Sequence, residues 1–172
     1  VKLETILNAM DAWEAREEMQ YGVIDTITKF MEKIFMDRIL VKGFDKFNQI
    51  ADMTYQILNK IKTSRLNWVV LAHNETDFDS SGIKVDRVRQ FGKLVGEKIE
   101  IPSEFSNVLV PKVKRTEGRA EYVFQTQSDG TNAAGISEFR IDEQGNVISA
   151  LEFEEPNDIK LIFDKLNAFS NG

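Results

Sequence analysis

The stretch YGVIDTIT, residues 21–28, decides the fold of this chain. A short apolar strand ends in Asp25, and the hydroxyl residues Thr26 and Thr28 then open a helix. An aspartate in this position has two interpretations. It can cap the following helix, or it can hold the water shell of a bound Mg²⁺ at the rim of a parallel sheet.

A second apolar run of the same kind, NWVVLAH at residues 67–73, ends in the polar residues Asn74 and Glu75. Because the carboxyl ends of parallel strands meet at one edge, the two runs predict the ligand edge of an open α/β sheet. We therefore expect His73 and Glu75 to lie at the same edge as Asp25. For His73, an equal alternative is a partly buried imidazole that is hydrogen-bonded to a neighbouring loop.

Helical spacing of apolar residues surrounds these two strands. It predicts a helix over residues 3–19, a helix capped by Thr26, and a long amphipathic helix over residues 44–61. Residues 74–82 (NETDFDSSG) are predicted to be a mobile surface loop. Residues 83–99 have no clear period and are compatible with a short helix interrupted by glycine.

The second half of the chain alternates in the manner of antiparallel strands. Strands are predicted over residues 105–113 and 119–127, a hairpin over 139–141 and 147–153, and a final helix over 156–169. Pro111 indicates a strand end or an edge position. The predicted fold class is α/β, a parallel sheet flanked by helices with an antiparallel C-terminal β extension. A single domain is expected to span residues 1–172.

Composition and charge limit the partners. The chain has no cysteine, which excludes a disulfide framework and a thiolate metal site, and no apolar run of the length that a membrane span needs. A cytoplasmic location without membrane contact is expected. The net charge of −6 does not favour nonspecific binding to a polyanion. Basic residues outnumber acidic ones over residues 84–119, which predicts either a solvated face or a local contact to DNA phosphates.

Several segments, in their order and spacing, resemble the RecA-like AAA-type ATPases of phages and prophages. They are YGVIDTITKFMEKIF, GFDKFNQIADMTYQILNKIK, LNWVVLAHNE, FGKLVGEKI, VLVPKV, YVFQTQSDGTN and PNDIKLIF. The resemblance covers the chain from about residue 20 onward. It implies a partial RecA-like P-loop NTPase core, from the Walker B strand to the C-terminus, that binds ATP and Mg²⁺. It further implies phage DNA recombination or replication, single-stranded DNA as a partner, a homo-oligomer, and the host cytoplasm.

The resemblance also implies roles for individual residues. Asp25 matches the Walker B aspartate, which holds Mg²⁺ through water, and Thr26 matches the hydroxyl residue after it. His73 and Glu75 match the polar strand end that senses the γ-phosphate in RecA-like proteins. Lys93, in FGKLVG, matches a Gly-Lys pair and would act at the phosphates of a neighbouring subunit. The implied reaction is in-line attack of water on the γ-phosphorus.

The chain departs from the family pattern at two places. It lacks the phosphate-binding loop Gly-x-x-x-x-Gly-Lys-Ser/Thr, which in this family would lie upstream of Val1. After DGTN, residues 133–137 read AAGIS where relatives tend to have Lys-Ser-Pro. One hypothesis is the C-terminal portion of an ATPase, inactive alone and active if the loop is supplied. The alternative is a shortened, non-catalytic relative that serves as a binding or assembly module.

Overall fold

The chain is a mixed α/β protein with helices and several small sheets. A computed structural model describes residues 2–40, 42–43, 45–91, 93–96 and 98–171. The described residues form two compact units, which we call the first unit (Val1–Glu75 with Val88–Glu104) and the second unit (Thr76–Arg87 with Phe105–Gly172). The expectation of one domain over the whole chain stays a prediction.

The first unit contains the predicted parallel strands. Its elements are α1 (Leu3–Glu14), β1 (Tyr21–Ile24), α2 (Ile27–Asp37), α3 (Asp45–Thr63), β2 (Asn67–Val70), α4 (Lys93–Gly96) and a 3₁₀ turn (Ile101–Glu104). β1 and β2 pair in parallel, with Tyr21 opposite Asn67 and Ile24 opposite Val70. The predicted parallel pairing is confirmed, and in the described residues this sheet has two strands.

Helical periodicity produces the core of the first unit. On α2 the buried residues Ile27, Met31 and Ile34 recur at three- and four-residue steps, which places them on one face of the helix. α3 buries a similar stripe, as its amphipathic sequence predicted: Ile50, Ala51, Thr54, Ile57 and Leu58. α2 and α3 contact each other, and the faces that they bury are those that the sequence indicated.

Trp68 packs closely against the backbone of β1. A Cβ atom added at Gly22 would lie 2.5 Å from two carbons of the Trp68 ring, so only glycine leaves room for this contact. Trp68 also stacks on Trp13 of α1, with ring centroids 6.1 Å apart. Trp13 itself is 38% exposed. It lies near the end of α1, where one ring face meets Trp68 and solvent still reaches the residue.

Arg65 ties the end of α1 to the segment before β2. Its guanidinium donates hydrogen bonds to the carbonyl oxygens of Glu14, Arg16 and Met19, at 2.6 to 3.0 Å. The Glu14 carboxylate accepts from the Arg65 backbone N–H at 2.8 Å and from Lys60 at 3.0 Å. These hydrogen bonds, the Arg65 N–H first, lower the pKa of Glu14. The connection that leads into β1 is thereby held by a residue that precedes β2.

A hairpin follows the parallel pair, formed by β3 (Asn74–Phe78) and β4 (Lys84–Val88). The expectation of a mobile loop over residues 74–82 was wrong for its first half, which is a strand. The Asp79 carboxylate accepts the N–H groups of Ser81 and Ile83 and closes the turn between the strands. Backbone pairing thus orders a segment whose polar composition suggested a loop.

The region after the turn also differs from its prediction. Residues 84–88 form β4, and the short helix expected within residues 83–99 is limited to α4. The helix ends at Gly96, one of two glycines at which an interruption was expected. The other, Gly92, lies outside the described residues.

The second unit is antiparallel, as predicted. Its further elements are β5 (Val110–Thr116), β6 (Arg119–Gln125), β7 (Phe139–Ile141), β8 (Val147–Ser149), β9 (Glu154–Pro156) and α5 (Ile159–Asn171). β5, β6 and β9 form one sheet in that order, and β7 and β8 form the predicted hairpin. Pro111 lies in β5, an outer strand of the sheet, so the edge prediction is confirmed. The three-residue strand β9 was not predicted.

α5 joins this sheet through an apolar cluster and a buried ion pair. Leu151, Ile162 and Leu166 form the cluster, together with half-buried side chains such as Phe124. Glu155 on β9 is only 2% exposed, and both of its carboxylate oxygens accept from Lys165, at 2.8 and 2.6 Å. A buried carboxylate requires such a partner. Lys165 therefore connects the helix to β9.

No helix in the described part of the chain combines the length and the apolar character that a membrane crossing requires.

Candidate functional site

The carboxyl ends of β1 and β2 lie at one edge of the first unit. Beyond the paired residues, the Leu71 N–H donates to the Ile24 carbonyl at 2.9 Å, and the Ile27 N–H donates to the Leu71 carbonyl at 3.0 Å. Asp25 and the segment leading to His73 consequently leave the sheet at the same end. This is the arrangement expected from the two apolar runs that finish in polar residues.

Asp25 and Thr26 have separate tasks at this edge. Thr26 is the N-cap of α2, because its hydroxyl oxygen accepts the Lys29 N–H at 3.1 Å, as predicted. The peptide bond between Asp25 and Thr26 is cis. The Asp25 side chain is exposed, and in the described part of the chain its carboxylate has no hydrogen bond or ion pair. Asp25 is therefore not the helix cap, and its oxygens are available to a ligand.

His73 is held by its backbone. Its N–H donates to the Thr28 hydroxyl oxygen at 2.9 Å, and its carbonyl accepts the Arg89 N–H at 2.8 Å. Thr28 is 1% exposed, so this anchor is buried. The residue His73 itself is exposed, and within the described residues its imidazole has no hydrogen bond. The alternative of a partly buried imidazole bonded to a loop was wrong. His73 is exposed, and the neighbouring segment at Arg89 is hydrogen-bonded to its backbone.

Glu75 and Lys93 are the other two predicted site residues. Glu75 is exposed on β3, two residues beyond His73, and it belongs to the first unit. Lys93 opens α4, but its side chain lies outside the described residues, so its role stays a prediction. Of the predicted set, Asp25, Thr26 and His73 are thus joined to one edge by the hydrogen bonds above.

Sequence reasoning missed a group of charged residues beside His73. Lys29 on α2 pairs with Glu32, at 2.6 Å between Nζ and a carboxylate oxygen. The Lys29 hydrogen bond lowers the pKa of Glu32, and electrostatic interactions with Lys29, Arg89 and His73 lower it further. We call these four residues the Glu32 cluster. The spacing of Lys29 and Glu32 on a helix could have revealed their pair, whereas Arg89 is distant in sequence and carries no such signal.

Asp25 has the chemistry of a magnesium ligand. A carboxylate oxygen free of other partners suits Mg²⁺, which prefers oxygen ligands. The described residues contain no group of three or more His, Cys, Asp or Glu that could hold a metal ion. A site with one carboxylate fits Mg²⁺ that keeps its waters and also binds substrate phosphates. Asp25 therefore fits the metal side of such a site, while the sequence contains no phosphate-binding loop.

Three basic residues within 84–119 have acidic partners. Lys112 pairs with Asp86 at 3.3 Å, and Arg87 lies 3.9 Å from Asp77. Lys114 pairs with the Glu154 carboxylate on β9. In the second unit as a whole, acidic residues outnumber basic ones. The expected basic face is thus neutralised only in part, and a contact to DNA stays a prediction.

A cavity of about 330 Å³ lies elsewhere in the first unit, between α1, β1, α2, α3 and β2. Its lining is apolar apart from Thr5 and includes both tryptophans, Trp13 and Trp68. Neither Asp25 nor His73 lines it. With no ionisable side chain in its wall, this cavity supplies no acid, base or charged ligand group.

Comparison with known proteins adds no family to this geometry. No protein-family model, no curated protein and no solved structure matches the chain. The residues at the edge of the sheet must therefore carry the functional argument.

Proposed function

We propose that this chain is the portion of a RecA-like AAA-type phage ATPase from the Walker B strand to the C-terminus. In this proposal the protein couples ATP and Mg²⁺ to work on single-stranded DNA in recombination or replication, as a homo-oligomer. One observation carries the proposal: β1 and β2 are parallel neighbours, and Asp25 and His73 follow their carboxyl ends at the same edge. Ligands of open α/β sheets bind at this kind of edge.

Asp25 is the residue through which Mg²⁺ would be held. A Mg²⁺ ion held there would supply positive charge that neutralises the phosphates of a nucleotide. The protein's contribution is to present an unpaired carboxylate at a fixed place. β1 fixes the position on one side, and the capped start of α2, at Thr26, fixes it on the other.

His73 and Glu75 are the groups that would respond to the phosphates. The buried hydroxyl of Thr28 fixes the backbone of His73, while the imidazole is free to accept or donate a hydrogen bond. β3 begins at the next residue and carries Glu75. A displacement of His73 by a bound phosphate would therefore reach β3 directly through the backbone.

The metal side of the proposal can be tested on this chain with Mn²⁺ in place of Mg²⁺, in the presence of ATP. Paramagnetic broadening of NMR signals should be strongest near Asp25 and His73. Asp25→Asn should abolish it, and Asp52→Asn, which changes an exposed aspartate on α3, should leave it unchanged. Broadening that is absent or centred elsewhere would remove Asp25 from a metal site.

Nucleotide affinity gives a second measurement. Calorimetry with Mg-ATP should show weak binding, because the sequence lacks the loop whose N–H groups cradle the phosphates. In a longer protein that supplies this loop, Asp25→Asn should cut ATP turnover sharply and leave the fold intact. Unchanged turnover would contradict the role of Asp25.

A non-catalytic binding or assembly module is the second candidate. The missing phosphate-binding loop and the sequence AAGIS at residues 133–137 favour it. The coding sequence upstream of Val1 separates the two candidates. A glycine-rich loop with Gly-Lys-Thr supports the ATPase, and a start codon near Val1 supports the module.

A further inference from the structure

One ion pair and two backbone hydrogen bonds bring Lys29, His73 and Arg89 to the same region as the Glu32 carboxylate, beside the proposed metal site. Lys29 binds Glu32 directly, at 2.6 Å. The backbone hydrogen bond of 2.8 Å between Arg89 and His73 holds these two residues side by side. His73 is in turn bonded to Thr28, one residue before Lys29 on α2. The cluster is thus assembled from α2, the end of the β2 segment and the residues after β4.

Arg89 is a cationic member of the cluster that, unlike Lys29, has no ion pair among the described residues. It is exposed. Its guanidinium lies over the ring of Phe91, with Cζ 5.8 Å from the ring centroid. Guanidinium groups bind phosphate oxygens through two parallel hydrogen bonds. Arg89 therefore has hydrogen-bond donors available to bind a phosphate group.

We infer that Lys29, His73 and Arg89 form a phosphate-binding site in which Arg89 is the main ligand and Glu32 is an internal counter-ion. The ligand class is the phosphate chain of a nucleotide or of inorganic pyrophosphate. The inference rests on the proposed function for placing phosphates at this edge. It requires neither Asp25 nor a metal ion for binding itself.

Glu32 should weaken the binding of phosphate at this site. Its carboxylate is already paired with Lys29, and its negative charge repels an incoming anion. The hydrogen bond from Lys29 lowers the pKa of Glu32, so the carboxylate stays ionised at neutral pH. Removing this charge should strengthen phosphate binding, whereas removing Arg89 should weaken it.

The probe is pyrophosphate in the absence of metal ions, and its affinity is measured by NMR titration of the whole chain. Arg89→Ala should weaken binding about tenfold, and Arg89→Lys should lose less. Glu32→Gln should strengthen it about two- to fivefold. Arg115→Ala is the matched control, since Arg115 is an exposed arginine of the second unit with no ion pair among the described residues. Alanine keeps the Arg89 backbone N–H, so the hydrogen bond to His73 survives.

The outcomes separate this inference from the proposed function. The inference is overturned if Arg89→Ala binds pyrophosphate as tightly as the unchanged chain does. It is also overturned if pyrophosphate does not perturb the NMR signals of His73 and Arg89. Binding of an oligonucleotide but not of pyrophosphate also overturns it. The Mn²⁺ experiment on Asp25 is independent of these results. If Mn²⁺ does not bind near Asp25 but pyrophosphate binding still depends on Arg89, the ATPase proposal is wrong and the inference about Arg89 stands.

Discussion

The backbone N–H of His73 donates a hydrogen bond of 2.9 Å to the hydroxyl oxygen of Thr28, a residue that is 1% exposed. This bond joins the segment after β2 to the first turn of α2. It brings the two polar strand ends to one edge and holds them there. The candidate site therefore depends on a threonine that would not itself contact a ligand.

Thr28→Val should destabilise the protein by about 1–3 kcal/mol, because valine keeps the shape of threonine but leaves the His73 N–H without its acceptor. Urea unfolding measures the loss, and faster amide hydrogen exchange at His73 locates it. Thr28→Ser, which keeps the hydroxyl, should restore the slow exchange. Thr63→Val, at an exposed helix end, should change stability by less than about 0.5 kcal/mol. Unchanged exchange at His73 in Thr28→Val would contradict this account.

Gly22→Ala should destabilise the first unit by about 1–3 kcal/mol, because the new Cβ would approach the Trp68 ring to 2.5 Å and force it to move. Tryptophan fluorescence should change at the same time, since Trp68 stacks on Trp13. Gly135→Ala is the control, because no atom lies within 4 Å of its added Cβ. A fluorescence spectrum unaffected by Gly22→Ala would show that the ring does not rest on β1.

Lys165→Met should destabilise the second unit by about 2 kcal/mol or more, since it leaves the Glu155 carboxylate buried without its cation. Lys33→Met breaks an exposed pair with Asp37 and should cost about 0.5 kcal/mol or less. Chemical denaturation of both variants provides the comparison. The double change Lys165→Met with Glu155→Gln should recover part of the loss, and a double variant less stable than Lys165→Met would argue against an unpaired charge.

Asp86 should make stability depend on pH in the acid range. The Thr76 hydroxyl donates to its carboxylate at 2.9 Å and Lys112 lies 3.3 Å away, and these contacts, that of Thr76 first, lower the pKa of Asp86. A carboxyl whose folded pKa is below the unfolded value, about 3.9, contributes its full stability above that value. The contribution is lost as pH falls through the folded pKa.

The difference in unfolding free energy between the unchanged chain and Asp86→Asn measures this contribution. It should be constant from about pH 5 to 7 and should shrink below about pH 4. NMR titration of the Asp86 carboxyl carbon provides the folded pKa directly. A difference that grows on acidification would have the wrong sign for this arrangement.

Local sequence signals predicted the elements that depend on near neighbours. The cap at Thr26 and the buried stripe that begins at Ile27 follow from spacing within a few residues. The edge position of Pro111 follows from its missing N–H. β3 was missed because its polar side chains resemble a loop, and only backbone pairing with β4 makes it a strand.

The charged residues show the same division more sharply. Nothing local in the sequence indicates that Lys112 pairs with Asp86, or that Lys114 pairs with a glutamate on β9, so the basic stretch suggested an open basic face. Arg89 likewise joins the Glu32 cluster only through its backbone contact with His73. Such contacts join residues far apart in the chain, and their geometry does not exist until the strands pair.

By itself, the sequence determined the helices, the antiparallel second half and the parallel pairing of two apolar strands that end in Asp25 and His73. Apolar period and strand-end polarity suffice for these features, because each depends on the hydrogen-bonding and burial requirements of a short segment. Only the tertiary structure decided which charges are neutralised and which residue, Arg89, remains free beside the site. Charge interactions depend on distances across the fold, and folding alone sets those distances.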